Sequence, residues 1–140
     1  MKKLLKSAVY LLAFSTSIAL FSSCEKEEDE GKLPTISFKT ESGYTATDTK
    51  VAKSTQVKMG IKAAKAEEKD PLKVFTITRS LNDGADSVVY TENLSGTNGD
   101  SYNKDYTATT NSQAGKEKYT FTIVNKDGLV NKASLTLTVE

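Results

Sequence analysis

Apolar and polar side chains alternate along most of the chain after Leu33, and this period of two constrains the fold more than any other feature. The alternation is clearest near the C-terminus, in two segments joined by Lys126-Asp127-Gly128. The apolar positions are Tyr119, Phe121 and Ile123 in the first segment and Leu135, Leu137 and Val139 in the second. Successive side chains of a strand point to opposite faces, so each segment presents one apolar face, and the Asp-Gly pair suits a tight turn. The pattern predicts a C-terminal β-hairpin.

Five further segments have the composition and alternation of strands. They are 33–40, 55–64, 72–81, 87–93 and 102–110. In 87–93 we expect Val88 and Tyr90 on one side, and in 102–110 Tyr102, Tyr106 and Ala108 share a face. Residues 61–70 are the one helical competitor, but their apolar anchors are alanines, and Pro71 stops a helix. We therefore predict a strand end there, followed by a charged loop or a single helical turn.

About seven short strands in residues 33–140, separated by turn sequences, predict an all-β fold, an immunoglobulin-like β-sandwich. Residues 119–128 and 135–139 resemble the last two strands of immunoglobulin-like, cadherin-like and PKD-like domains of bacterial surface proteins. The resemblance implies a fold and no activity. The paired cysteines and core tryptophan of antibody domains are missing, because the chain has one cysteine and no tryptophan.

Residues 1–23 have the layout of an export signal. Lys2, Lys3 and Lys6 form a basic start, and an apolar stretch from about residue 8 to 21 follows. A retained membrane anchor is the alternative, but the stretch is interrupted by polar residues at 15–17 and is short for a span of about 20 apolar residues. We therefore expect the leader to be cleaved.

Residues 20–24, Leu-Phe-Ser-Ser-Cys, resemble a lipobox, the site at which lipoprotein signal peptidase cuts and a lipid is attached to the cysteine. Phe21 departs from the Leu, Val or Ile usual at its position, although the looser lipoboxes of Bacteroidetes tolerate such changes. The resemblance implies cleavage before Cys24 and acylation of Cys24. Two or three acyl chains would hold the chain firmly to a membrane.

An acidic run follows Cys24 directly and extends to residue 30. It consists of Glu25, Lys26, Glu27, Glu28, Asp29 and Glu30. This run resembles the lipoprotein export signal of Bacteroidetes, which implies transport to the outer face of the outer membrane; a periplasm-facing anchor is the alternative. Like charges repel and keep a segment extended, so residues 24–32 also suit a flexible tether.

Composition excludes several chemistries. The chain has no histidine, so it lacks an ordinary Ser-His-Asp or Cys-His nucleophile and a His-based metal site. With Cys24 as the one cysteine, it has no internal disulfide. The formal net charge is +1 and becomes slightly negative once the leader is removed, and Arg79 is the one arginine, so nucleic acid is not an expected partner. We expect no catalytic residue and no cofactor.

Two loop clusters are rich in carboxylates. Asp83 lies near Asp86, and Asp100 lies near Asn103 and Asp105. Neither spacing matches a twelve-residue calcium loop, and turns require the same residue types, so we favour turns over metal sites. Ser101 and Lys104 match a Ser-x-x-Lys pattern, but on an extended segment their side chains diverge, so the match is a coincidence.

Three residues are candidates for binding or modification. Tyr102 and Tyr106 either form an exposed platform that stacks on a sugar or protein, or belong to the core with their hydroxyls at its rim. Asp86-Ser87-Val88 resembles the short O-glycosylation motif of exported Bacteroidetes proteins, which makes Ser87 a candidate site, although Ser87 also suits the start of a strand.

These observations predict a membrane-anchored, surface-displayed, non-catalytic lipoprotein of the outer membrane that binds a glycan or a surface protein. A structural subunit is the alternative, in which 133–139 joins neighbouring copies by strand exchange. An enzyme remains open only through carboxylate or metal chemistry.

Overall fold

A computed structural model describes residues 31–140. The predicted export signal, Cys24 and the acidic run from Glu25 to Glu30 lie outside the described residues. Within the described range, the chain forms eight strands and one helical turn. These are β1 (Thr35–Phe38), β2 (Thr49–Val51), β3 (Gln56–Ala64), β4 (Leu72–Leu81), β5 (Ser87–Asn93), α1 (Thr97–Asp100), β6 (Ser101–Thr109), β7 (Gly115–Asn125) and β8 (Val130–Val139).

The strands form a β-sandwich of two sheets. One sheet has the order β1-β3-β6, and the other has the order β2-β8-β7-β4-β5. All neighbours are antiparallel except β2, which runs parallel to β8. If the short β2 is left out of the count, the strands divide as in the immunoglobulin fold. The first, second and fifth strands (β1, β3 and β6) form one sheet, and the third, sixth and seventh (β4, β7 and β8) belong to the other. The predicted all-β sandwich is confirmed, with one strand more than expected.

The core lies between the inner faces of the two sheets. Val57, Met59, Ile61 and Ala63 face inward from β3, and Tyr119, Phe121 and Ile123 face them from β7. Phe121 is at the centre of an aromatic cluster: its ring centroid lies 5.3 Å from that of Phe38, 6.3 Å from Phe75 and 6.5 Å from Tyr106. Edge-on and tilted pairs of this kind stabilise a core beyond the area they bury.

The predicted strand positions agree with the structure over most of the domain. Segments 72–81 and 87–93 match β4 and β5, and the C-terminal hairpin is confirmed as β7 and β8. Residues 61–70, which the sequence offered as a possible helix, continue β3 as far as Ala64 and then form turns and bends. Two elements were missed: β2 has three residues, too few to alternate visibly, and α1 is one turn inside a predicted loop.

The expectation that Val88 shares the packed face of Tyr90 was wrong. Ile77 pairs with Tyr90, but the next residue, Thr78, pairs with Val88. The register between β4 and β5 therefore shifts by one residue at this point. The extra residue, Val89, makes a bulge, which changes the direction of the side chains that follow it. As a result Val88 is 64% exposed and Val89 38% exposed, while Tyr90 packs against the core.

The sandwich has two ends. The N-terminal residues enter at the tether end, which we define by residues 31–34 and the loops 65–71, 94–100 and 126–129. Here a Cβ on Gly31 would lie 3.1 Å from Leu129 Cδ1, and Lys32 Nζ lies 3.9 Å from Glu67 Oε1. The opposite end, the free end, consists of the loops 52–55, 82–86 and 110–114 with Glu140. Among residues 31–140, no helix is long and apolar enough to cross a membrane.

We expect Phe121→Ala to lower the free energy of unfolding by about 3–5 kcal/mol, because it opens a cavity at the centre of the aromatic cluster. Urea denaturation followed by circular dichroism would measure this change. Val88→Ala is the control, since an exposed side chain should change stability by less than about 0.5 kcal/mol. Equal stability of the two variants would contradict the placement of Phe121 at the centre of the core.

Candidate functional site

A buried ion pair lies at the free end, between Arg79 near the end of β4 and Glu117 near the start of β7. Arg79 Nη2 is 3.0 Å from Glu117 Oε2, and Glu117 is only 1% exposed. Two further groups bind the same carboxylate. The backbone N–H of Asn111 donates to Oε1 at 2.7 Å, and the Tyr119 hydroxyl donates to Oε2 at 3.0 Å. The Glu117 carboxylate therefore has partners on both oxygens.

The environment of the Tyr119 hydroxyl favours its protonated form. Burial raises the pKa of the Tyr119 hydroxyl, and the adjacent Glu117 charge raises it further, so Tyr119 remains a hydrogen-bond donor. Arg79 is less well satisfied, because its Nε and Nη2 are buried without a well-aligned hydrogen bond. The guanidinium carbon lies 5.9 Å from the centroid of the Tyr119 ring. Arg79, the one arginine of the chain, is therefore held by its ion pair with Glu117 and not by a full set of hydrogen bonds.

Two depressions flank the ion pair. The polar pocket, of about 50 Å³, is lined by Glu117 together with Asn82, Asn111, Gln113 and Lys116. The second, which we call the Arg79 cleft, is larger, at about 370 Å³, and is lined by Arg79, Leu81, Ala85, Ser87 and Val89. Leu81 belongs to both depressions. The free end therefore combines a polar site and a site of mixed polar and apolar lining on either side of one charge pair.

Tyr102 belongs to the core and is not part of an exposed platform. It is 4% exposed, its ring centroid lies 5.1 Å from that of Phe75, and its hydroxyl donates to Glu92 Oε2 at 2.5 Å. Tyr106 is half-buried, with its ring centroid 6.1 Å from that of Tyr119. Both point inward because even-numbered residues of β6 face the other sheet. Of the two interpretations open from sequence, the structure shows the core one for Tyr102.

A polar cluster closes the side of the sandwich where β5 and β6 face each other. Glu92 accepts hydrogen bonds from the hydroxyls of Tyr90 and Tyr102, and Lys104 Nζ lies 3.6 Å from Glu92 Oε2. Lys104 Nζ also lies 3.9 Å from the centroid of the Tyr90 ring. These hydrogen bonds, led by that from Tyr102, lower the pKa of Glu92. The cluster links the edges of the two sheets.

Of the carboxylates considered for calcium, Asp100 and Asp105 both bind lysines. Asp105 binds Lys39 Nζ at 2.7 Å, the Tyr44 hydroxyl at 2.7 Å and Lys58 Nζ at 3.1 Å, and these partners lower its pKa. Asp100 instead binds Lys65 Nζ at 2.6 Å. In the part of the chain that the structure describes, no group of three or more Asp, Glu, His or Cys side chains is arranged to hold a metal ion.

The remaining sequence candidates lie apart from one another. Ser101 and Lys104 are three residues apart on the extended strand β6, so their side chains point to opposite faces. Ser87 is exposed, begins β5 and lines the Arg79 cleft. The Arg79–Glu117 pair was not predicted from the sequence. The available sign was Arg79 itself, which follows Phe75 and Ile77 at the next inward position of an alternating strand.

A second buried carboxyl group lies at the tether end. Asp70 is 2% exposed, and its Oδ2 has no hydrogen-bond partner. Burial raises the pKa of Asp70, and the neighbouring Asp127 raises it further. Because the charged form is disfavoured, Asp70 weakens the folded state when it ionises.

No family model matches the chain, and no curated protein sequence matches it. Solved structures with the same fold include the superoxide reductase (neelaredoxin) from Ignicoccus hospitalis, with a TM-score of 0.51 and 8% identity over 78% of this chain and 81% of that chain. A variant of the same reductase gives a TM-score of 0.53 and 10% identity over 77% and 80%. At this identity the similarity shows a shared two-sheet β fold and nothing about activity.

We expect Glu117→Ala to destabilise the domain by about 3 kcal/mol, because it leaves Arg79 without its counter-charge in a largely buried position. Thermal or urea unfolding would measure the loss. Lys116→Ala is the matched control, since Lys116 Nζ lies 4.0 Å from Asp83 Oδ2 in an exposed pair, and such pairs contribute about 0–1 kcal/mol. Comparable stabilities of the two variants would show that the buried pair does not hold the free end together.

We expect Asp70→Asn to stabilise the domain at pH 7 and to have little effect well below pH 3.8, the ordinary pKa of the group. A carboxyl group with a raised folded pKa binds its proton more tightly in the folded state, so stability is lost as pH rises through the interval between the two pKa values. Thermal unfolding of both proteins across pH 3–8 tests this, with Asp83→Asn as an exposed control. A difference independent of pH would contradict the assignment.

Proposed function

We propose that the chain is a lipid-anchored, surface-displayed, non-catalytic binding or accessory module of the outer membrane, which binds a glycan or a surface protein at its free end. The observation that carries the proposal is that the N-terminal residues enter one end of the sandwich, whereas the ion pair and its two depressions lie at the other. An anchor at Cys24 therefore leaves the proposed site accessible.

The dimensions support this arrangement. The seven residue-to-residue steps from Cys24 to Gly31 reach at most about 25 Å when extended, so the tether end would stay close to the membrane. The longest strands have ten or eleven residues, which corresponds to about 35 Å at the rise of a strand. The free end would then project away from the lipid surface toward other molecules.

The non-catalytic part of the proposal rests on which groups are available. The chain has no histidine, the usual base near neutral pH. At the free end, the Glu117 carboxylate already binds Arg79, Tyr119 and Asn111, so it is poorly suited to remove a proton from a substrate. An enzyme would therefore need chemistry from groups that this end does not present.

The fimbria-like alternative, with strand exchange through residues 133–139, comes second because β8 already pairs with β7 along ten positions and buries Leu135, Leu137 and Val139. Release of β8 would expose these side chains. The alternative predicts polymers whose size grows with protein concentration, which sedimentation velocity over a hundredfold concentration range would detect. A monomer at the highest concentration would rule it out.

Anchoring is tested with Cys24→Ala expressed in a Bacteroidetes host. We expect the wild-type protein in the membrane fraction, carrying acyl chains by intact mass, and degraded when protease is added to intact cells. The Cys24→Ala protein should lose the acyl mass and leave the membrane fraction, because its lipid anchor is gone. Membrane retention of the variant without acylation would overturn the proposed anchor, and protection of the wild type from protease would indicate the periplasm-facing alternative.

Ligand binding is tested on a glycan array and by cross-linking on intact cells, with Ser87→Trp and Ser134→Trp as a matched pair. Both serines are exposed, but only Ser87 lines the Arg79 cleft. We expect Ser87→Trp to reduce binding about tenfold by filling the cleft, and Ser134→Trp to leave it unchanged. Equal binding by the two variants would place the ligand elsewhere.

A further inference from the structure

One of the two outer strands of the five-stranded sheet, β5, combines features that the other outer strands of residues 31–140 lack. Its exposed Val88 and Val89, together with Leu81 at the end of β4, make up three of the five large apolar side chains exposed in residues 31–140. Soluble proteins seldom gather such side chains in one place unless a partner covers them. Leu81 and Val89 line the Arg79 cleft, whereas Val88 pairs with Thr78 and lies on the other face of the same strand.

The outer edge of β5 also has unpaired backbone groups. Leu94 N–H donates to Lys73 O at 2.8 Å, so the backbone of Leu94 points toward the β4 side. In an antiparallel ladder the direction alternates from residue to residue, so the N–H and C=O groups of Thr91 and Asn93 point away from β4. No strand lies beyond β5 in the described part of the chain. An extended segment could pair with these groups.

The other outer strands are protected against such pairing. β1 and β2 have four and three residues. β6 is long, but its exposed side chains are small or polar, namely Ser101, Asn103, Asp105, Thr107 and Thr109. Short or charged edges are the usual means by which proteins prevent unwanted strand addition. β5 alone among the outer strands lacks this protection along its first half, where the bulge exposes two valines.

The Arg79 cleft indicates the chemistry of the partner. Arg79 is the one charged residue in its lining, and the remaining lining is apolar apart from Ser87. A guanidinium favours a carboxylate, and Leu81, Ala85 and Val89 favour an apolar stem. A side chain such as glutamate has both parts and fits within about 370 Å³.

We propose that β5 binds an extended segment of a partner polypeptide by strand addition, with an acidic side chain of that segment in the Arg79 cleft. This inference rests on the proposed binding function, extends the site from the free end along β5 toward the tether end, and names its ligand class as polypeptide. Main-chain hydrogen bonds to Thr91 and Asn93 supply affinity, and the cleft supplies selectivity.

The test uses the full chain purified in mild detergent and two synthetic probes, acetyl-Lys-Thr-Val-Glu-Val-Thr-Lys-amide and the same peptide with glutamine in place of glutamate. Nuclear magnetic resonance of the ¹⁵N-labelled protein follows the titration. We expect saturable shifts in the amides of β5 and in the Arg79 side chain. The glutamine peptide should bind about threefold more weakly, as loss of a partly exposed ion pair predicts.

Thr91→Pro and Thr91→Val form the decisive pair of variants. Proline removes an outward N–H without breaking a backbone hydrogen bond to β4, a position at which edge strands tolerate it, and valine keeps the N–H. Both variants lose the hydrogen bond from Thr91 Oγ1 to Phe75 O, so this loss cancels in the comparison. We expect Thr91→Pro to bind the glutamate peptide at least about fivefold more weakly than Thr91→Val. Circular dichroism and thermal unfolding establish that both are folded; if Thr91→Pro is not, Val89→Asp replaces it, with the same expected loss.

Three results would overturn the inference: no saturable binding by the folded wild type up to millimolar peptide, equal affinity of the two Thr91 variants, or self-association through β5 that peptide does not displace. Glycan binding that Ser87→Trp abolishes, without peptide binding, would refute the polypeptide ligand while the proposed function stands. Failure of Cys24 anchoring would refute the proposed function whatever the peptide does.

Discussion

The whole domain depends on the burial of two apolar faces against each other. The one cysteine of the chain is Cys24, before the strands begin, so no disulfide links the sheets. The described residues also contain no arrangement of acidic or sulfur ligands for a metal ion. Packing around Phe121, where β7 meets the three-stranded sheet, must therefore offset the conformational entropy that a domain of this size loses on folding.

The Arg79–Glu117 pair places two charges beside this apolar core. Taking two charges out of water is expensive, and their attraction seldom exceeds that cost by much. Here the surrounding groups reduce the penalty on Glu117 more than on Arg79, because Asn111 and Tyr119 bind the carboxylate while two guanidinium nitrogens lack hydrogen bonds. The exposed part of the Arg79 side chain lines the cleft, where a second acidic group has space to bind it.

The two ends of the sandwich suit different roles. At the tether end, Gly31 packs against Leu129 beside the buried Asp70, which fixes where the chain leaves the domain. At the free end, the loops surround the ion pair and lead into β5, which has no hydrogen-bonded strand on its outer side within the described residues. The proposed anchor and the proposed binding surface thus share one rigid scaffold, and the strands between them set their separation.

The sequence by itself determined the strand period, and with it most of the architecture. The positions of β3, β4, β5, β7 and β8 followed from alternation and turn residues, because these act between near neighbours in the chain. Alternation also placed Tyr102 and Tyr106 on one face but left open whether that face was buried. Only the tertiary structure decided that this face is packed against the other sheet. It also decided the parallel pairing of β2 with β8 and the contact between Arg79 and Glu117. These contacts join residues far apart in sequence, so they depend on the register and stacking of whole strands, which a local period of two does not encode.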